Sequence, residues 1–277
     1  MKFLVVGASG FLGRATCMEL LRAGHLVAGT WRHHPDRLPE GLADSFEESA
    51  LETCAGDADV VIACSAQVPY GAMNRPDPNL SEANVAMPLR LSRRFPNSRL
   101  VLASSVAIYG RAPSPRTEES PFVAPDEYGW TKLAAEAVVR QHRSFGIVRL
   151  SSLYGPGMRA PTFLPALVRT ARESGRIVLF GDGLRSQDYL HVLDAARMLG
   201  LVATQHQNGT FLGASGQATS NLDVATLVAR ALPGTRIGFE GTDDSPSVSY
   251  DVDLTRRRTG FTPSISMDEG IRSMVNP

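Results

Sequence analysis

The sequence predicts a doubly wound α/β fold, a parallel sheet with helices on both faces, followed by a smaller C-terminal lobe. Three observations carry that expectation. Short apolar runs alternate with helical patterns through the first 150 residues, and a glycine-rich turn follows the first run directly. The pattern then breaks at Tyr154-Gly155-Pro156-Gly157, and the composition changes after it.

The runs at 3–6, 26–29, 60–63, 100–103 and 147–150 are short and almost wholly apolar, as strands covered on both faces are. Helical periodicity between them predicts helices at 14–23, 82–95 and 128–144, the last with Ala134, Ala135, Ala137, Val138 and Val139 on a packing side. Strands separated by helices read as right-handed βαβ units, hence a parallel sheet. Later come a helix at 163–173, the turn Gly181-Asp182-Gly183, a helix near 193–205, a strand at 210–213 and a helix at 221–232. The expected division is 1–155 with about 192–216 as the main unit, and 156–191 with 217–277 as a substrate lobe.

Composition narrows the function classes. The 28 basic residues balance 28 acidic ones, so nothing in the charge points to nucleic acid or to an anionic membrane. Cys17, Cys54 and Cys64 lack the paired spacing of a zinc site or a disulfide framework, and His33-His34 and the single histidines have no partners at metal spacing; no metal is expected. The first apolar run is too short for a signal peptide, and no later run reaches the roughly 18 to 20 residues of a membrane span. A reduced, cytoplasmic setting is expected. Every basic residue is arginine except Lys2 and Lys132, and Arg256-Arg257-Arg258 reads as a charged helix turn.

Gly7-Ala8-Ser9-Gly10-Phe11-Leu12-Gly13 lies between the first strand and the first helix, where a glycine turn becomes a phosphate cradle of the Rossmann kind. Gly7 permits the tight turn, Gly10 lets backbone approach a pyrophosphate, and Gly13 lets the helix pack on the sheet. The spacing is GxxGxxG rather than GxGxxG. The second strand runs into Thr30-Trp31-Arg32 without the acid that accepts ribose hydroxyls in NAD-preferring sites. Arg32, with Arg14 after the turn, can instead pair with a 2′-phosphate through a guanidinium fork, so NADP(H) is expected over NAD(H). Ser9, Phe11, Leu12, Ala63, Ser65 and Lys132 complete the expected cofactor set.

Tyr128 and Lys132 stand four apart and share one face of a helix. A tyrosine with its ordinary pKa of about 10 is a poor base near neutrality, and a lysine cation beside it favours the phenolate. Ser104-Ser105 follows the strand at 100–103, at the carboxyl end of the sheet where α/β ligands bind; Ser105 is taken as the group holding the substrate oxygen. Ser105, Tyr128 and Lys132 are the expected catalytic set.

These stretches, with Ser105 to Gly110, Arg149 to Gly157 and Gly181 to Asp194, resemble the extended short-chain dehydrogenases, the NAD-dependent epimerase/dehydratase family, over nearly the whole chain. The resemblance implies hydride transfer at a hydroxyl or ketone of a sugar-like substrate, with Lys132 also binding the nicotinamide ribose. It implies a homodimer through two helices of the main unit. Dehydratases and decarboxylases of the family carry an acid shortly after the catalytic Ser/Thr, and here Val106 and Ala107 stand there. The expectation is therefore a nucleotide-sugar 4-epimerase or 4-ketoreductase and not a dehydratase. Members that grip a nucleotide diphosphate have Asn in place of Ser152, Arg in place of Gln187, and a further Arg near Asp243-Asp244-Ser245-Pro246. Arg159, Arg185 or Arg236 are the available substitutes. A reductase of a substrate without the diphosphate, or a dinucleotide-binding regulatory module without catalysis, are the alternatives; an intact Ser105, Tyr128 and Lys132 argues against the last.

Overall fold

The computed structural model describes residues 1–69, 79–158 and 162–276. Arg159 lies outside the described residues. The first part is an alternation of strands and helices: β1 (Lys2–Val6), α1 (Phe11–Arg22), β2 (Leu26–Trp31), β3 (Asp44–Glu47), α2 (Leu51–Cys54) and β4 (Val60–Ala63). Next come α3 (Asn79–Ser81), which runs through a π-helical turn at Glu82–Ala86 into α4 (Met87–Arg94), then β5 (Arg99–Ser105), α5 (Glu127–Arg140) and β6 (Phe145–Leu150). Further on lie β7 (Ser152–Tyr154), α6 (Phe163–Ser174), β8 (Arg176–Phe180), β9 (Ser186–His191), α7 (Val192–Thr204) and β10 (Gly209–Gly213). The chain closes with β11 (Ala218–Ser220), α8 (Asn221–Ala231), β12 (Arg236–Glu240), α9 (Asp253–Thr259) and α10 (Met267–Val275).

Seven strands form one parallel sheet in the order β10-β6-β5-β4-β1-β2-β3. The fold is the doubly wound, Rossmann-like α/β arrangement that the sequence predicts. One face packs on α1 and α7 through Val5, Leu20, Ile62, Val148, Leu199 and Phe211. The other packs beneath α4 and α5 through Val6, Leu91, Leu102, Ala135, Val139 and Ile147. The continuous apolar character of β4, β5 and β6 follows from that double cover.

A second core holds α6, α8 and α10 against β8 and β9, with Leu167, Ile177, Tyr189, Val228 and Ile271 buried together. Its strands form a three-stranded sheet, β11-β9-β7, and a pair, β12-β8. Strands β7, β8, β9, β11 and β12 are additions to the expected elements, as is β3. Helix α5 ends at Arg140, earlier than the expected 144, because the chain turns through Gln141 and His142 back into β6. Among the described residues no helix is long and apolar enough to cross a membrane, and no group of histidines, cysteines and acids could hold a metal ion.

Candidate active site

The glycine turn is built mostly for the chain's own packing. Gly7 sits at φ +85°, and a side chain on it would come within 2.8 Å of the Ser65 amide nitrogen at the end of β4. A methyl group on Gly13 would lie 2.1 Å from the Gly7 carbonyl oxygen, so α1 can approach the turn only with glycine there. Gly10 meets nothing but that carbonyl, at 3.1 Å, which leaves its other side open to a ligand. Buried Thr30 fixes the turn from β2: its hydroxyl accepts the Gly7 N–H at 3.0 Å and its carbonyl accepts the Ala8 N–H at 2.7 Å. Sequence reasoning assigned Thr30 no role in the turn.

Ser9, Gly10, Phe11 and Arg14 line a cleft of about 710 Å³ that opens at the N-terminus of α1, with Pro156 and Gly157 on its other side. The amide donors and positive end of α1 make that opening suited to a pyrophosphate. Leu12 packs its side chain into the core, leaving only its backbone N–H for a ligand. Ala63 is buried in register with Val6, and beyond it the Ser65 hydroxyl is buried without a hydrogen-bond partner among the described residues. A buried unpaired hydroxyl beside a phosphate cradle fits a dinucleotide. Arg32 is not a free cation: it pairs at 2.7 Å with the buried carboxylate of Glu48, leaving its side chain 40% exposed.

Strand β5 delivers Ser105, whose hydroxyl accepts the Ala107 N–H at 3.1 Å and so caps the short 3-10 turn Val106–Tyr109. Helix α5 begins beside that turn. Asp126 caps it by accepting the Gly129 N–H at 2.7 Å, and Gly129 is required because a methyl group there would stand 2.6 Å from the Ala107 carbonyl oxygen. The tight contact brings half-buried Tyr128, in the first turn of α5, toward the end of β5. One turn on, Lys132 is 2% exposed and donates to the Ala103 carbonyl at 2.6 Å. Burial pushes its pKa down to about 8, against the pull of the Glu136 carboxylate. Ser105 and Lys132 thus lie at the carboxyl end of the sheet on two elements that touch, with Tyr128 one helical turn before Lys132 on α5.

Two further groups brace the site. Asn84, buried in the π-helical turn, accepts the Gln67 N–H at 2.8 Å and donates at 3.0 Å both to the Gln67 carbonyl and to Thr131 of α5. Glu136 binds Arg149 of β6 with both oxygens, at 3.0 and 2.8 Å, and accepts the Ser104 hydroxyl at 2.7 Å. Neither has a signal in the linear sequence, since each joins segments distant along the chain.

On the lobe side, the described substitutes for a diphosphate grip, Arg185 and Arg236, are engaged or exposed. The Ser152 hydroxyl lies 3.4 Å from Gln187 Oε1, and the Gln187 amide donates to the Tyr189 hydroxyl. Arg185 lies 4.0 Å from the Asp243 carboxylate, while Arg236 is exposed on β12.

A profile of the NAD dependent epimerase/dehydratase family matches residues 3–212. A dTDP-glucose 4,6-dehydratase of Streptomyces griseus is 27% identical over 98% of this chain and 92% of its own. A UDP-glucuronate 4-epimerase of Thermodesulfobacterium geofontis is 24% identical over 99% and 95%. The solved structure of MoeE5 in complex with UDP-glucose and NAD superposes with a TM-score of 0.88, at 27% identity, over 100% of this chain and 98% of that one. A dehydratase among such relatives overturns the exclusion of dehydration drawn from Val106 and Ala107. Elimination needs an acid or base within reach of the substrate, and in a folded chain that group can come from any element facing the cleft, so Val106 and Ala107 by themselves do not exclude it.

Proposed function

Since the chain belongs to the NAD dependent epimerase/dehydratase family, and is an enzyme of the extended short-chain dehydrogenase type, we propose that it oxidises or reduces a ring carbon of a sugar-type substrate with Tyr128 as its acid/base. A nicotinamide dinucleotide, when bound, supplies the hydride acceptor or donor. Tyr128 takes or returns the proton of the substrate hydroxyl, and Ser105 holds that oxygen by a hydrogen bond. Lys132 contributes an ammonium that favours the phenolate and a donor for the nicotinamide ribose. Gly7 to Gly13, Ala63 and Ser65 hold the dinucleotide, in a main unit of 1–155 with about 192–216, while 156–191 and 217–277 contribute the substrate lobe.

The observation that carries this reading is the burial of Lys132 near the carboxyl end of β5, one helical turn from Tyr128 and fastened to the strand that ends in Ser105. The deciding experiment is Tyr128→Phe. Turnover should be lost while dinucleotide binding, followed by quenching of protein fluorescence, stays within about two-fold; undiminished turnover would refute the reading.

Arg14, Arg32 and the acid-free end of β2 support NADP(H) as the preferred dinucleotide. The solved neighbours carry NAD, and Glu48 neutralises part of Arg32, so the expected preference is small. A nucleotide sugar is the leading substrate class, supported by the UDP-glucose of MoeE5. One observation favours a substrate without the diphosphate: Ser152, Gln187 and Tyr189 bond to one another and are neutral, and Arg185 faces Asp243. Calorimetric titration with UDP against free glucose separates the two. A reduced, cytoplasmic setting is in keeping with three free cysteines.

A further inference from the structure

Lys132, Glu136 and Arg149 are all 2% exposed or less, so three formal charges are withdrawn from water within one turn of α5 and the strand beside it. Such burial is a poor source of stability, because desolvation cancels most of the attraction and apolar residues of the same shape serve as well or better. The arrangement is nevertheless complete. Glu136 Oε1 accepts from Ser104 and Arg149 Nε, and Oε2 accepts from Arg149 and, at 3.2 Å, from Arg140. Arg149 uses its remaining nitrogen on the Tyr109 hydroxyl at 3.0 Å and the Glu118 carbonyl at 2.7 Å. Two of these ties lead to the active site: Ser104 lies between Ala103, which holds Lys132, and Ser105, and Tyr109 closes the turn that Ser105 caps.

We propose that Glu136 is a positioning residue of this active site: it clamps the helix bearing Tyr128 and Lys132 to the strand ending in Ser105, and its charge, one helical turn from Lys132, keeps that lysine an ammonium. The inference rests on the role given above to Lys132. The charged and titratable groups around the pair are Tyr128 and Arg140 on α5, Arg149 on β6, Tyr109 with Glu118 beyond β5, and Cys64 just past β4. Glu136 is the carboxylate that favours the ammonium, while the Cys64 thiol, pushed up to about 12 by burial, is uncharged near neutrality. The Glu136 carboxylate pairs with Arg149 at 2.8 Å, with both side chains 2% exposed or less, so water does not screen its charge from Lys132.

The chain offers a direct readout, because Lys2 and Lys132 are its only lysines. Protein labelled with ¹³C at lysine Cε gives two signals, and Lys2→Arg identifies the one from Lys132. The wild-type midpoint is expected near 8. In Glu136→Gln it should fall by about one pH unit, a ten-fold loss of ammonium relative to free amine, and Glu136→Asp should recover part of the shift. Since Glu136→Gln strands Arg149, the double variant Glu136→Gln/Arg149→Met, which removes both charges, is measured beside it. A Lys132 midpoint unchanged in a folded variant overturns the proposal. So does failure of the double variant to fold, which would make the pair a condition of the fold. If Tyr128→Phe remains active while the midpoint moves, the catalytic reading fails and the charge coupling stands; if Tyr128→Phe is dead and the midpoint stays, this inference alone fails.

Discussion

Replacing Lys132 by methionine should stabilise the ligand-free protein at neutral pH while abolishing turnover. The magnitude follows from the lysine's displaced titration, about 8 in the folded chain against 10.5 in the unfolded one. A depressed lysine pKa means that the unfolded state binds more protons between those values, so stability rises with pH across that window and the full penalty is felt below it. The displacement corresponds to about 3 kcal/mol at pH 7, at 1.36 kcal/mol per pH unit. Losing the bond to the Ala103 carbonyl costs about 1 kcal/mol, leaving a net gain of about 2 kcal/mol for Lys132→Met. By pH 11 the ammonium penalty is gone, and the variant should be less stable than wild type by about 1 kcal/mol, with the two curves crossing near pH 10. Urea unfolding of both proteins at intervals from pH 7 to 11, followed by circular dichroism, measures the difference, and titrations common to both chains cancel. A variant destabilised at pH 7, or a difference that does not change with pH, would show that Lys132 is not buried as a disfavoured cation.

Gly13→Ala should abolish dinucleotide binding and cost several kcal/mol of stability, because its methyl group would fall 2.1 Å from the Gly7 carbonyl oxygen; a soluble variant with ordinary affinity by fluorescence titration would contradict that geometry. Arg32→Ala should weaken NADPH by about five- to ten-fold and leave NADH nearly unchanged, the modest size reflecting the charge already taken by Glu48; equal losses would remove Arg32 from any role in choosing between them. With a thiol-specific disulfide reagent, the native protein should show one fast-reacting cysteine, exposed Cys54, and three in urea, since burial drives the Cys17 and Cys64 thiols up and away from thiolate. Rapid reaction of a second thiol in the native protein would mean that the α1 face opens readily.

What could be read directly from the linear chain was whatever depends on neighbours in sequence. The runs at 60–63, 100–103 and 147–150 are covered by helices on both faces, so their apolarity is continuous and identifies them as β4, β5 and β6. The Gly7 to Gly13 turn and the Tyr128 and Lys132 spacing are local in the same sense. Strand β3 escaped because it is an edge strand with Phe46 alone buried, and β9 because it is polar: its Asp188 is satisfied by Ser151, Ser215 and Gly216 from elsewhere in the chain. The pairs that set the electrostatics, Arg32 with Glu48 and Glu136 with Arg149, join residues 16 and 13 apart on different elements, and only the tertiary fold brings them together. The exclusion of dehydration likewise rested on two sequence neighbours, Val106 and Ala107, and the dehydratase among the relatives overturns it.

Strand β10 lies on the outer side of β6, yet it is made only after the chain has built β7, α6, β8 and β9. A fragment ending near residue 155 would leave the hydrogen-bonding edge of Phe145–Leu150 bare, an invitation to pairing between molecules. The glycine-turn half is therefore not a cassette that can be cut out, transplanted or expressed by itself. A premature stop anywhere before Gly213 should send the product to inclusion bodies, however far it falls from the reacting groups.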